Sequence, residues 1–180
     1  MTPSAFIDAV CAEQRATFAK LDAGAVDALV GELDGARRVF LYGIGRTGLM
    51  VQGFAMRLAQ CGLDAHFVGQ LAAPPAGAGD LFLAAVALGS LPTADAVAGA
   101  ARRSGARIAY VSARPKAVPD ADFVLVLPAQ TMADPPESVL PLGSPFELAL
   151  HLLFEHLCLK LMARRGLDAA ALGRRHANIL

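Results

Sequence analysis

A glycine-rich turn near the start of the chain combines residue types that could bind an anion. Gly43-Ile44-Gly45-Arg46-Thr47-Gly48 follows the apolar run Val39–Tyr42 and precedes a segment with helical spacing of apolar residues. Glycines allow a ligand to approach the backbone closely, and a helix N-terminus favours negative charge. A tight turn that needs only small residues is the alternative for the glycines alone, but a cation and a hydroxyl favour an anion site. Its candidate binding residues are Gly43, Gly45, Arg46 and Thr47.

The spacing of these glycines, G-x-G-x-x-G, is also that of dinucleotide-binding turns. Such turns are accompanied by an acidic residue at the end of the second strand, which holds a ribose hydroxyl. Here the second apolar run, Ala65–Val68, is followed by Gly69-Gln70. A nicotinamide-dependent dehydrogenase is therefore an alternative that rests on the glycine motif alone, and we predict no cofactor.

A carboxylate, Glu147, stands in the first turn of the most apolar helical segment, Pro145–Arg165. The helix dipole favours an acid there, so this position needs no catalytic explanation. His151 and Glu155 follow at spacings of four, which places them on the same helix face. Because no cysteine or third imidazole is near, we predict no metal site. We interpret the stripe as part of a helix or subunit contact.

Composition excludes several classes of protein. Sixteen basic residues balance sixteen acidic ones among 180, and without a basic stripe we expect no nucleic-acid partner. Three cysteines without C-x-x-C spacing argue against a disulfide framework or a zinc knot and fit a reducing cytosol. The first residues lack the features of a signal peptide, and the most apolar window, Leu81–Leu88, is too short to span a bilayer. We therefore expect a cytoplasmic protein with no membrane partner.

Unbroken apolar runs alternate with helical segments from Arg38 onward, which is typical of a parallel sheet covered on both faces. The runs are Val39–Tyr42, Ala65–Val68, Leu81–Leu88, Ile108–Val111 and Phe123–Leu127. We predict an α/β fold: a three-layer α/β/α, doubly wound, five-stranded parallel sheet of order 2-1-3-4-5. We expect one domain, with N-terminal helices in residues 1–36, the α/β core in 37–144 and a C-terminal helix and tail in 145–180.

Several segments of this pattern resemble the sugar isomerase (SIS) domain, most of all its 6-phospho-3-hexuloisomerase branch. They are Leu41–Gly48, Phe54–Leu58, Val68-Gly69, Gly79–Leu81, Pro141–Glu147 and Arg175–Asn178. The resemblance implies a sugar phosphate or a related anion as ligand. It also implies self-association as a dimer or tetramer, with active sites at subunit boundaries. A hydrophobic content of 55% agrees with buried subunit interfaces.

The resemblance further implies an isomerase that moves a carbonyl between adjacent sugar carbons through an enediol. Glu147 would be the base, and His176, reaching a neighbouring subunit, would orient or polarise the substrate oxygens. The loops after the third and fourth strands would contribute the binding residues Gly89, Ser90, Ser112 and Arg114. For Arg114, whose planar guanidinium could bind a carboxylate or phosphate, a solvated loop position is the alternative.

The loop after the third strand departs from the family pattern. The family's phosphate loop reads Ser-Gly-Ser-Gly-Glu-Thr, whereas this chain has Val86-Ala87-Leu88-Gly89-Ser90-Leu91. Losing two hydrogen bonds to a charged group weakens phosphate binding by about 10²- to 10⁴-fold. We favour Ser90 as a cap of the next helix over Ser90 as an anion ligand. A non-catalytic sugar-derivative-binding or regulatory protein is therefore the alternative function.

Overall fold

Five short strands form the centre of the computed structural model, which describes residues 1–178. The strands are β1 Val39–Tyr42, β2 Ala65–Phe67, β3 Leu81–Ala85, β4 Arg107–Ser112 and β5 Phe123–Val126. All neighbouring strands pair in parallel, in the order β2-β1-β3-β4-β5. The predicted doubly wound fold is therefore confirmed.

Six α-helices and one 3-10 turn accompany the strands within residues 1–178. They are α1 Pro3–Phe18, α2 Ala23–Gly35, α3 Gly45–Gln60, α4 Pro92–Arg103, the 3-10 turn Pro115–Ala117, α5 Ser144–Arg165 and α6 Ala169–Gly173. Within residues 1–178, no helix is long and apolar enough to cross a membrane.

The two faces of the sheet bury alternate strand residues, because successive side chains point to opposite sides. Leu41, Leu83 and Val111 lie in the larger core cluster, together with residues of α2, α3 and α5. Phe82 and Tyr110 lie in the smaller cluster, which contains the buried residues of α4. Each fully buried side chain of this size contributes about 1.5–3 kcal/mol to folding, so the central strands are strongly held.

Helices α3 and α5 run side by side in the same direction on the larger core face. Their rings Phe54 and Phe154 stack with centroids 4.1 Å apart, and Arg57 Nε lies 3.3 Å from Glu155 Oε1. Since α3 begins directly after β1, this packing brings the first turn of α5 to the carboxyl edge of the sheet. The two helix N-termini thereby lie next to one another.

Some element boundaries differ from the predicted ones. The third strand ends at Ala85 rather than Leu88, because the chain turns back at Gly89, whose φ is +87°. The first helix is capped by Thr2, whose Oγ1 accepts a hydrogen bond from the amide of Ala5. Pro3 occupies the first helical position, where its missing N–H costs no hydrogen bond.

Candidate functional site

The turn between β1 and α3 is tight and leaves the start of α3 without a side-chain cap. A Cβ on Gly48 would lie 2.7 Å from the carbonyl oxygen of Gly43, so only glycine fits there. Gly45 has a left-handed φ of +59°, and the space around it is open. The N-cap residue Ile44 makes no capping hydrogen bond. The first amides of α3 therefore have no side-chain acceptor, which is what an anion site at this turn would require.

Arg46 of this turn contacts the predicted base, Glu147. The guanidinium Nε lies 2.7 Å from the carboxylate Oε2, and the two side chains are 70% and 17% exposed. Oε2 is shielded from solvent and accepts no well-directed hydrogen bond within residues 1–178. Because the guanidinium is largely solvated, the ion pair itself is weak. The exposed remainder of the guanidinium can therefore meet a ligand anion while Nε stays against Glu147.

A cleft of about 530 Å³ opens beside this ion pair. Arg46, Glu147, His151 and Ser144 supply its polar groups. Its apolar walls are Leu49, Met50, Leu140, Pro141 and Leu148. This size and mixture of apolar wall and few polar groups are typical of a site for a small metabolite.

The loop between β3 and α4 is closed rather than open. A Cβ on Gly89 would collide with the carbonyl oxygen of Arg114 and lie 2.8 Å from Cβ of Ala117. The hydroxyl of Ser90 donates a 2.5 Å hydrogen bond to Oδ2 of Asp95 in the first turn of α4. The prediction that Ser90 caps this helix was wrong, because the N-cap is Leu91 and no side chain caps it. Ser90 instead donates its hydrogen bond to the Asp95 carboxylate.

Two buried polar atoms without a partner lie close to this loop. The hydroxyl of Tyr110 and Oδ1 of Asp95 are both buried, and neither has a hydrogen-bond partner within residues 1–178. Burial, with a smaller contribution from the charge of Asp95, raises the pKa of Tyr110 to about 12. Tyr110 is therefore a neutral phenol at physiological pH.

The two candidate residues after β4 lie away from Glu147. Ser112 is fully buried, and its Oγ accepts a 2.9 Å hydrogen bond from the amide of Arg114. Arg114 pairs with Asp134 and lines a second cleft, of about 570 Å³, between α1 and residues 128–138. This cleft and the cleft at Glu147 share no lining residue. The structure therefore does not bring Arg46 and Arg114 together.

His176 lies near the opposite end of α3 from Arg46. Its neighbour Arg175 donates a hydrogen bond of 3.3 Å to the carbonyl oxygen of Gln60, the last residue of α3. At about 1.5 Å of rise per residue, Gln60 lies about 21 Å along the helix from Arg46. Within one chain, His176 is therefore remote from Glu147.

Sequence reasoning missed what two residues contact in the structure. His151 was interpreted as part of a contact stripe, yet it lines the cleft of Glu147. Asp95 drew no comment, and it holds Ser90. The spacing of four from Glu147 was the available signal for His151. Among residues 1–178, no three acidic, histidine or cysteine side chains lie close enough together to hold a metal ion.

Comparison of the amino-acid sequence with known proteins shows the family to which the chain belongs. The chain is 32% identical over 158 residues to the 3-hexulose-6-phosphate isomerase of Bacillus subtilis (strain 168), covering 85% of each protein. It is 36% identical over 169 residues to that of Mycobacterium gastri, covering 91% of this chain and 84% of the relative. The chain belongs to the 3-hexulose-6-phosphate isomerase family. No protein-family model matches it.

Solved structures agree with this family. A Methanococcus jannaschii protein for which a 3-hexulose-6-phosphate isomerase function was inferred superposes with a TM-score of 0.83 at 25% identity, over 97% of this chain and 98% of the other. The sugar isomerase domain of an RpiR transcription factor from Sphaerobacter thermophilus shares the fold, with a TM-score of 0.72 at 20% identity and 96% of each chain covered. The predicted resemblance to SIS domains is confirmed.

Proposed function

We propose that this chain is a sugar-phosphate isomerase that interconverts a 3-ketose and a 2-ketose phosphate such as 3-hexulose 6-phosphate and fructose 6-phosphate. The names of its relatives point to this substrate class. The observation that carries the proposal is the position of Glu147, whose carboxylate lines a metabolite-sized cleft opposite a cation. A carboxylate in that position can act as a base on a bound sugar.

In the proposed reaction Glu147 removes the proton from the carbon that bears the hydroxyl next to the carbonyl. The electrons of that C–H bond form the enediol double bond, and the former carbonyl oxygen gains a proton. Glu147 then returns its proton to the former carbonyl carbon, while the neighbouring hydroxyl loses its own.

The phosphate of the substrate binds, in this proposal, at the turn between β1 and α3. The uncapped amides of α3 and the solvated guanidinium of Arg46 support this position. The loop at Gly89 and Ser90 is less suited, because its hydroxyl is held by Asp95 and its backbone is covered. Ser112 and Arg114 then do not contact the phosphate but hold the neighbouring loops in place.

We further propose that the chain forms a homo-oligomer in the cytoplasm. Exposed apolar side chains on α3 and α5 support a subunit contact. They are Leu49, Met56, Leu152 and Leu159. Such a contact could bring His176 of one subunit towards the Glu147 cleft of another, which its position within a single chain does not allow.

A non-catalytic sugar-derivative-binding protein is the second candidate, and the Ser90–Asp95 hydrogen bond favours it. A carboxylate beside the start of α4 repels a second anion, so this loop is unsuited to the phosphate that the family's loop binds.

Conversion of 3-hexulose 6-phosphate to fructose 6-phosphate by the wild type and Glu147→Gln tests the proposed function. We expect turnover by the wild type and a loss of about 10²-fold or more in the variant, because the amide cannot take a proton from carbon. Glu155→Gln is the matched control, since Glu155 lies on the same helix but contacts Arg57. Sugar-phosphate binding by calorimetry without wild-type turnover would instead favour the non-catalytic candidate.

A further inference from the structure

His151 lines the same cleft as Glu147, on one side of helix α5. The two residues are four apart on the helix, one turn or about 6 Å along its axis, and they therefore share a face. Both line the cleft, and the His151 side chain is exposed. In the part of the chain that the structure describes, the His151 ring forms no hydrogen bond or ion pair. The imidazole is free to meet a ligand there.

The other imidazoles of the chain lie elsewhere. His66 on β2 is engaged on both ring nitrogens, with Asp64 Oδ1 at 2.7 Å and Gln70 Nε2 at 3.0 Å. His156 lies on α5 but does not line the cleft. His176 lies by the far end of α3. Within residues 1–178, His151 is thus the histidine that shares a cleft with Glu147.

The proposed isomerisation requires proton transfers that one carboxylate does not complete. Glu147 moves a proton between two carbons, but a proton must also leave one oxygen and another must reach the neighbouring oxygen. A neutral imidazole has one donor and one acceptor nitrogen, so it can perform both transfers in turn. We infer that His151 is this second catalytic group, acting on the substrate oxygens within the same chain as Glu147.

The atoms balance in this scheme. His151 donates its N–H proton to the carbonyl oxygen as Glu147 takes the carbon proton, so the neutral enediol forms and the negative charge moves from Glu147 to the ring, which becomes imidazolate. The other oxygen then returns a proton to the ring as the new carbonyl forms, and Glu147 delivers its proton to carbon. Both side chains end in their starting states, and no oxidant or reductant is consumed. The inference rests on the proposed isomerase function.

The test compares His151→Gln with His156→Gln, an exposed histidine on the same helix outside the cleft. We expect His151→Gln to lower kcat by about 10²-fold, with KM changed less than about threefold, and His156→Gln to leave both near the wild-type values. Circular dichroism and thermal unfolding verify that both variants fold. In His151→Ala, added imidazole should restore part of the turnover, because the cleft is open to solvent.

The outcomes separate this inference from the function on which it rests. Wild-type turnover that His151→Gln leaves within about threefold would overturn the inference alone. So would a loss confined to His176→Gln, which would assign the oxygen transfers to the tail of another subunit. Absence of turnover by the wild type would overturn the proposed function and the inference with it.

Discussion

The turns after β1 and β3 are neighbours at the carboxyl edge of the sheet, and they begin alike. Each contains a left-handed glycine, Gly45 with a φ of +59° and Gly89 with a φ of +87°. Each opens a helix that has no side-chain cap. They differ in what surrounds them, since Gly45 faces open space and Gly89 lies under the backbone of Arg114. Similar local backbone thus produces one accessible turn and one covered turn.

The charges of the two turns also differ. The first turn carries Arg46, whose largely exposed guanidinium reaches Glu147. The second holds the carboxylate of Asp95 against Ser90. Asp95 thus places a carboxylate in the first turn of α4, where α3 has no acidic residue and could accept a ligand anion instead. The comparison predicts that substrate affinity depends on the first turn and that local stability depends on the second.

The largest effect is expected from Gly89→Ala, compared with Gly45→Ala. A left-handed alanine costs about 1–2 kcal/mol at either site. At Gly89, overpacking against Arg114 and Ala117 adds about 1–3 kcal/mol. Thermal unfolding should therefore show a melting temperature lower by about 5–15 °C for Gly89→Ala, and by only a few degrees for Gly45→Ala. Equal losses in the two variants would contradict the difference in packing.

Arg46→Gln should impair turnover far more than Ser90→Ala. A hydrogen bond to a charged group contributes about 1.5–3 kcal/mol, so its loss lowers kcat/KM about 10- to 150-fold. Ser90 is already engaged by Asp95, and its removal should change kcat/KM less than about threefold. Steady-state kinetics of the two variants measure both effects. A stronger effect at Ser90 would indicate that the substrate phosphate binds at the loop after β3.

Asp95→Asn should open the second turn to anions. The variant removes the negative charge at the start of α4, which costs about 0.3–1 kcal/mol of helix stability. Without this carboxylate, the positive end of the α4 dipole can attract a ligand anion instead. Inhibition by inorganic phosphate should therefore become about two- to fivefold tighter. Phosphate inhibition constants for wild type and variant provide the measurement. An unchanged constant would show that the covering backbone, and not the carboxylate, excludes the anion.

The smallest effect is expected on stability at acid pH, through Asp134, which pairs with the Arg114 that covers Gly89. Hydrogen bonds from Thr131, first from its amide and then from its hydroxyl, lower the pKa of Asp134 below its ordinary 3.8, and Arg114 adds to this. Since the unfolded chain then binds the proton more tightly, this stabilisation is present above pH 3.8 and is lost as the pH falls below it. Asp134→Asn should unfold with a shallower pH dependence in that range. An identical acid dependence would exclude Asp134 as a contributor.

Much of the fold was predictable because it depends on local pattern. The apolar runs at Val39, Leu81 and Ile108 marked the buried strands, since a strand covered on both faces needs apolar side chains at every position. Cys61 and Cys158 are buried in this core, where a free cysteine packs as a small apolar side chain. The helix cap at Thr2 and the early end of β3 were missed, because they depend on one turn residue each.

The candidate site was less predictable, because its contacts join residues far apart along the chain. The glycine turn and Glu147 were each visible as motifs, and their resemblance to a family brought them together before any geometry was available. The ion pair between Arg46 and Glu147, the covering of Gly89 by Arg114 and the separation of His176 from the cleft were not visible. They depend on how α3, α5 and the loop after β4 pack.

The amino-acid sequence by itself determined the layer architecture, the strand order and the family, because periodicity and motif residues are properties of short segments. The tertiary structure decided which of two similar turns is open and which imidazole shares a cleft with Glu147. A side chain's partners are set by long-range packing, and two turns with the same glycines can therefore meet opposite surroundings. In this protein that difference separates Arg46, which faces a cleft, from Ser90, which faces Asp95.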